Sequence, residues 1–223
     1  MSIKLFIEAI IKYSSGVILT GILIFLPAGT IYFPNGILFM SVLFLPMFIA
    51  GIVLMAKSPE LFKKRLDAKE KQKEQDALIK LCAVLFILGF AASGFGFRFS
   101  VLRLNTTVSL VFSVIFLFAY LIYARVLFEN KHLSRTIKTE KDQKVVDDGL
   151  YGIVRHPMYA ASIILFLSVP FVLGSLIALP FFLPYPFIIA KRIKFEEALL
   201  EKELSGYKEY KIKVKYRLIP FIW

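Results

Sequence analysis

Long apolar stretches alternate with polar links along the chain. Four of them have about the twenty residues that a helix needs to cross the roughly 30 Å hydrocarbon core of a bilayer. They are residues 14–33, 36–56, 81–97 and 106–124. The first stretch follows Lys4 and Lys12 and has no small-x-small cleavage site, so we expect it to be retained and not removed as a signal peptide. The pattern predicts four transmembrane helices.

A fifth apolar region, residues 158–190, is too long for one crossing. We expect it to fold as a helical hairpin that enters the membrane and returns, followed by a cytoplasmic helix. The fold class predicted from the pattern is an all-α integral membrane protein in one domain, residues 1–223. The hairpin would bring residues 155–157 and 192–197, about 40 residues apart in sequence, to the same membrane face.

Composition agrees with a membrane protein. The 223 residues are 58% hydrophobic and include 23 Phe, with a mean hydropathy of +0.71 and only 20% charged residues. Soluble domains have a larger charged fraction and a smaller apolar one. The net charge of +12 is concentrated in residues 57–80, 125–155 and after residue 191. This is the positive-inside pattern, so we expect both termini and these segments to be cytoplasmic, and we expect no nucleic-acid partner.

The same distribution narrows the function classes. None of the predicted spans carries Asp, Glu, Lys or Arg near its middle, which disfavours an ion-coupled transporter. The chain has two His and one Cys, Cys82, so we expect no metal site. Polar residues collect at one membrane face instead. This arrangement suits an enzyme that takes a soluble reagent from the cytoplasm and a lipophilic substrate from the bilayer.

Two polar links lie outside the predicted spans. In residues 57–77, Ser58 is a candidate N-cap and Pro59 a candidate first helical residue, so we predict a cytoplasmic helix whose lysines meet anionic lipid headgroups. In residues 128–148, Asn130, Ser134 and Thr136 are candidate hydrogen-bonding groups, although turn capping explains them nearly as well.

The first candidate motif is Arg155-His156-Pro157. Proline is well tolerated in the first turn of a helix, so a helix is predicted to begin here. Its free N–H groups and positive dipole end, with Arg155 beside them, would stabilise a carboxylate. The alternative is an interfacial Arg and His that reach lipid phosphates.

The second candidate motif follows the predicted hairpin. Arg192 and Glu196 have i, i+4 spacing and share a helix face, whereas Glu197 is offset by about 100°. Alone, such a pair is usually a surface salt bridge. Beside Arg155 and His156, these charges could bind a zwitterionic reagent. Farther on, Tyr207 and Tyr210 share a helix face and would form either an aromatic lid or a membrane-interface belt.

These motifs are similar to those of the isoprenylcysteine carboxyl methyltransferase family, in particular its prokaryotic branch. The similarity runs from about residue 129 to residue 223, through ENKHLSRTI, DQKVVDDGLYGIVRHPMY and KRIKFEEALLEKELSGYKEYKIKVKYRLIPFIW. The resemblance implies an all-helical membrane methyltransferase with S-adenosylmethionine as its cofactor and a tunnel for a lipophilic substrate. Residues 1–125 would then be a transmembrane scaffold, and residues 126–223 the cofactor-binding region.

The resemblance also implies roles for individual residues. Arg192 and Glu196 would be catalytic, and the cofactor-binding residues, to which we add Arg155, would be Arg155, His156, Pro157, Tyr159, Glu196, Glu197, Tyr207 and Tyr210. The expected reaction is carboxyl O-methylation of an isoprenylcysteine-like acceptor. N-methylation of a lipid amine, with Glu196 or Glu197 as base, is the alternative within the enzyme class. A non-catalytic membrane sensor or channel-like protein is the alternative outside it.

Overall fold

The computed structural model describes residues 3–66, 73–130 and 144–223. This part of the chain is helical, with one isolated antiparallel bridge between Arg103 and Ser175. The α-helices, in chain order, are α1 (Ile3–Ala28), α2 (Pro34–Lys57), α3 (Pro59–Leu66), α4 (Lys73–Arg98), α5 (Thr106–Glu129), α6 (Pro157–Val172), α7 (Leu179–Phe182), α8 (Tyr185–Glu203) and α9 (Tyr207–Lys213). Short 3₁₀ turns at Gly149–Gly152 and Leu176–Ala178 precede α6 and α7.

Five helical segments in the described part of the chain are long and apolar enough to cross a membrane. They are Ile3–Ala28, Pro34–Lys57, Glu74–Arg98, Thr106–Glu129 and Leu176–Glu203, while α6 is a shorter apolar helix of 16 residues. Many large apolar side chains face outward, for example Phe118, which is 64% exposed. Such a surface suits lipid and not water. The all-α, multi-pass membrane fold predicted from the sequence is confirmed.

Both predicted ends of the first transmembrane helix need correction. The first transmembrane helix does not occupy residues 14–33, because α1 begins at Ile3 and ends at Ala28. Gly29 has a φ of +70°, a left-handed conformation that stops the helix, and Pro34 then opens α2. Helix α1 accommodates the charge of Lys12 because the Lys12 ammonium pairs with Glu8 Oε1, one turn earlier, at 2.6 Å.

The polar link after α2 is only partly as predicted. Its helix does begin at Pro59, as α3, but ends at Leu66. Residues 73–77, which we expected in the same helix, are instead the first turn of α4. The rest of that prediction, at residues 67–72, lies outside the described residues. Ser134 and Thr136 lie outside them as well.

The predicted hairpin is confirmed. Helix α6 runs from Pro157 to Val172, the chain turns at Gly174, whose φ is +64°, and α8 returns alongside. The turn is joined to the link between α4 and α5, because Leu104 N donates to Gly174 O at 2.9 Å and Leu176 N to Leu102 O at 3.1 Å. The hairpin therefore spans the bundle, and its two ends lie together at the opposite end.

Close packing sets the position of the hairpin. A Cβ at Gly94 would lie 2.9 Å from the Ala28 backbone N, so glycine lets α1 and α4 approach closely. Gly94 belongs to the SGFGF segment, residues 93–97, which is therefore a site of close helix packing. Phe86 of α4 stacks on Phe166 of α6 at 4.5 Å and on Phe182 of α7 at 5.4 Å between ring centroids. These contacts attach the scaffold to the helices that carry the candidate site.

Candidate functional site

A buried carboxylate lies at the centre of the predicted site. Glu197, on α8, is 3% exposed and accepts hydrogen bonds from Arg155 Nε at 2.7 Å and Arg217 Nε at 2.9 Å. His156 Nε2 lies 3.3 Å from the same carboxylate. We predicted that Arg155 would stabilise a carboxylate, and in this structure Arg155 contacts the chain's own Glu197.

Arg155 also fixes the C-terminal segment. Its guanidinium donates to Val214 O at 2.7 Å and to Lys215 O at 2.8 Å. The backbones pair too, since Arg155 N donates to Tyr216 O and His156 N to Arg217 O, both at 2.9 Å. An unpaired buried charge costs several kcal/mol, so the buried Arg155 depends on Glu197 and on these carbonyl groups as partners. These contacts join the start of α6, the middle of α8 and the chain after α9.

A second cluster lies on the neighbouring face of α8. The Tyr159 hydroxyl donates to Glu196 Oε2 at 2.6 Å and accepts from Arg192 Nε at 2.9 Å. All three side chains thus form one hydrogen-bonded chain, as the shared helix face of Arg192 and Glu196 indicated. Glu196 and Arg192 are partly exposed, in contrast to Glu197. They remain accessible to a ligand.

The two tyrosines of α9 are buried, with ring centroids 5.7 Å apart. Tyr210 donates to Tyr151 O at 2.7 Å. The Tyr207 hydroxyl, in contrast, has no hydrogen-bond partner among the described residues. Burial and the neighbouring carboxylates Glu197 and Glu196 raise the pKa of Tyr207 well above its usual value, so it stays a neutral donor.

The orphaned hydroxyl allows a test of whether a bound group fits here. A buried hydroxyl without a partner costs about 1–3 kcal/mol, and a polar ligand beside it would remove that cost. The aromatic rings, the carboxylate and the guanidinium of these two clusters are the groups that recognise a ligand with both a cation and a carboxylate. The chemistry of these residues therefore fits S-adenosylmethionine. No group of three or more His, Cys, Asp or Glu able to hold a metal occurs among the described residues.

All predicted site residues fall at one end of the bundle. Pro157 is the first residue of α6, as predicted, and His156 precedes it. Sequence reasoning missed Arg217 and Tyr151 as parts of the site. Arg217 lies in an irregular segment without periodicity, and its only sequence signal was its place after the paired tyrosines. Asn130 ends α5 and its amide contacts the Tyr151 hydroxyl at 3.4 Å.

Comparisons with known proteins found a relative, a solved structure and a family model that resemble this chain. Over 91 residues, or 40% of the chain, it is 30% identical to the Delta(14)-sterol reductase TM7SF2 of Mus musculus, and the match spans 22% of that protein. The fold resembles the structure of the eukaryotic intramembrane Ras methyltransferase ICMT with a TM-score of 0.58 and 19% identity, covering 86% of this chain and 69% of that one. Residues 107–202 match the model of the isoprenylcysteine carboxyl methyltransferase family, and the resemblance predicted from the sequence is therefore confirmed over residues 129–202, while Tyr207 and Tyr210 lie beyond the match.

Proposed function

We propose that the chain is an S-adenosylmethionine-dependent methyltransferase that acts on the carboxylate of a lipophilic, isoprenylcysteine-like acceptor in the membrane. The family match includes Arg155, His156, Tyr159 and the Arg192 to Glu197 stretch. The fold of a membrane methyltransferase supports the same reaction. Residues 126–223 would form the cofactor-binding region and residues 1–125 the scaffold.

One observation carries the proposal: the orphaned Tyr207 hydroxyl lies near Glu196, which belongs to the hydrogen-bonded chain with Tyr159 and Arg192. S-adenosylmethionine, when bound, supplies a methyl group on a sulfonium. The Tyr207 and Tyr210 rings would attract a cation, and Glu196 would pair with an ammonium. The buried Glu197, with His156 and Arg155, would act as the rigid wall of the pocket.

Arg192 is the residue that we assign to the acceptor. Its guanidinium lies on the same face of α8 as Glu196 and is fixed by Tyr159. A guanidinium binds a carboxylate with two parallel hydrogen bonds, which orients one oxygen for attack. Methyl transfer is an in-line displacement, so alignment contributes more than proton transfer when the acceptor is already ionised. Neither Arg192 nor Glu196 needs to act as a base on such an acceptor.

The membrane orientation is part of the proposal. The helix ends that carry the basic segments lie at the same end of the bundle as the site, because Arg65 of α3 contacts Met158 of α6 at 3.8 Å. Under the positive-inside rule this end is cytoplasmic. A single cysteine placed in α3 and another at the C-terminus, in a chain with Cys82→Ser, should both react from the cytoplasmic side.

The test uses purified full-length protein in nanodiscs, S-adenosylmethionine with a labelled methyl group, and a panel of lipophilic acids and lipid amines. A carboxyl ester releases labelled methanol in mild base, whereas a methylated amine does not. We expect a base-labile product and its loss in Arg192→Lys, which keeps the charge but not the fork. A base-stable product would indicate N-methylation instead, with Glu196 as the candidate base.

Two further results would contradict the proposal. Calorimetry that detects binding of neither S-adenosylmethionine nor its demethylated product would remove methyl transfer altogether. Because one relative is a sterol reductase, reduction of a sterol is the competing reaction. A parallel reaction with a reduced nicotinamide cofactor and a sterol in place of S-adenosylmethionine is therefore the control. We expect no product from it, and a reduced sterol would contradict the proposal.

A further inference from the structure

A cavity lies between the scaffold helices α1, α2, α3 and α5. Its volume is about 630 Å³, within the range of roughly 300–1,000 Å³ that is usual for ligand pockets. The lining comes from α1, α2, α3 and α5, and most of it is apolar. A methylene group occupies roughly the volume of a water molecule in the liquid, about 30 Å³, so this cavity can hold a chain of about twenty carbons.

The cavity faces the bilayer. Phe6 and Ile10 of α1 and Phe48 and Ile52 of α2 line it, and each of them is between 40% and 48% exposed. In a membrane, the space between two exposed apolar helix faces is in contact with hydrocarbon chains and not with water. The natural occupant of the cavity is therefore part of a lipid.

Positive charge marks one end of the cavity. Among the described residues that line it, Lys12 and Arg65 are the charged ones. Lys12 donates to the backbone oxygen of Leu66 at 2.8 Å, which attaches α1 to the end of α3, and Arg65 donates to the Tyr123 hydroxyl. Both cations thus have fixed positions where the hydrocarbon cavity ends.

Helix α3 adds to this positive end. It is amphipathic, with Leu61 and Phe62 buried against the bundle and Lys63, Lys64 and Arg65 in its last turn. Amphipathic basic helices lie at the level of lipid headgroups, and each basic residue near an anionic surface contributes about 1 kcal/mol of attraction. The cavity begins directly beside Phe62 and Arg65, where an acyl chain would leave such a headgroup.

The cavity is separate from the candidate methyltransferase site. Arg65 contacts Met158 at its edge, and Met158 packs with Tyr159 on the far side. Arg192, Glu196 and Tyr207 do not line the cavity. A lipid bound there would share a wall with the candidate site without entering it.

We propose that this cavity binds one anionic glycerophospholipid, with an acyl chain between α1 and α2 and its phosphate beside Lys12, Arg65 and the basic turn of α3. The inference does not depend on the proposed methyl transfer, because it rests on the scaffold alone. The second acyl chain lies against the exposed faces of α1 and α2, in contact with the surrounding bilayer.

The test is native mass spectrometry of delipidated full-length protein incubated with phosphatidylglycerol or with phosphatidylcholine of identical chains. We expect one phosphatidylglycerol molecule to be retained per chain, and an affinity for phosphatidylcholine weaker by about fivefold or more, because the choline cation offsets the charge of the phosphate that both lipids carry. Lys12→Gln should lose about fivefold in affinity for phosphatidylglycerol. Lys80→Gln is the matched control, because Lys80 also pairs with an acid one turn away, Asp76, at 2.6 Å.

A second pair of variants tests the acyl chain. Gly51 lines the cavity, and a Cβ there would meet nothing closer than Phe62 at 3.9 Å, so Gly51→Leu should occupy part of the space and weaken retention of both lipids. Gly16→Leu is the control, with its nearest neighbour at 3.7 Å and no part in the lining. Equal retention of the two lipids, or a Gly51→Leu protein that binds like the parent, would overturn the proposal. Displacement of the phospholipid by a farnesylated cysteine acid would also overturn it, because the cavity would then be the acceptor site.

Discussion

Replacement of Glu197 by Gln tests whether this residue is mainly structural. Gln keeps the shape of the side chain and one hydrogen-bond acceptor, but it removes the negative charge. Arg155, which is 6% exposed, would then retain neutral partners alone among those described, namely the carbonyl groups of Val214 and Lys215 and the amide oxygen of the new Gln. Arg217, the other guanidinium on Glu197, is partly exposed and can turn toward solvent. The variant therefore isolates the effect on one buried cation.

The expected cost follows from the burial of that cation. Removing one partner of a buried ion pair usually costs about 3–5 kcal/mol, because the other charge stays uncompensated at low dielectric. The carbonyl partners of Arg155 and the remaining amide oxygen of Gln reduce this cost, so we expect about 2–4 kcal/mol. Exposed acidic residues give much smaller effects, of about 0.5 kcal/mol or less.

The assay is reversible unfolding in detergent, with Glu209→Gln, an exposed residue of α9, as the control. The double variant Arg155→Gln with Glu197→Gln should recover part of the loss, since no uncompensated charge remains; such a cycle measures the coupling directly. If Glu197→Gln melts like Glu209→Gln, Glu197 does not compensate Arg155 and our account of the buried cluster is wrong.

Three further predictions concern the rest of the site. Glu196→Gln should weaken S-adenosylmethionine binding by about ten- to a hundredfold in calorimetry, with Glu209→Gln unchanged. Tyr207→Phe should raise the melting temperature of the ligand-free protein, because it removes a buried hydroxyl that has no partner, yet weaken cofactor binding by about tenfold; equal binding would exclude a contact. Lys213 lowers the pKa of Asp147, so their pair stabilises the fold above the unfolded pKa and this stabilisation is lost as the pH falls through the lowered value. Melting of Asp147→Asn should therefore respond less than that of the parent to acidification from about pH 6 to about pH 3.

Hydropathy alone was sufficient for most of the fold. The four long apolar helices and the hairpin follow from apolar length, and the structure has them. The first residues of α1 and α4 could not be predicted from hydropathy. Lys12 lies inside α1, because a helix continues beyond the hydrocarbon region as long as its charged residues find partners, and Lys12 pairs with Glu8; helix α4 begins as early as Lys73.

The candidate site was predictable as a set of residues but not as a set of contacts. Helical spacing placed Arg192 and Glu196 on one face and Glu197 on another, as found. Spacing carries no information on which partner each face meets across the hairpin. The sequence therefore gave no sign that Arg155 would be neutralised by Glu197, or that Tyr159 would connect Glu196 to Arg192. The contribution of Arg217 depends on an irregular segment that no periodicity describes.

The different surroundings of Glu196 and Glu197 suggest how one helix can serve both stability and binding. Glu197 is buried, paired with two guanidinium groups and next to a histidine, so it contributes to joining α6, α8 and the C-terminal segment. Glu196, one residue earlier, turns by about 100° toward a partly exposed face. A carboxylate that must bind a ligand has to be positioned precisely enough to select it, yet remain free to exchange partners. In the proposed function, the fixed pair behind Glu196 would provide the first condition and the partly exposed face of Glu196 would provide the second.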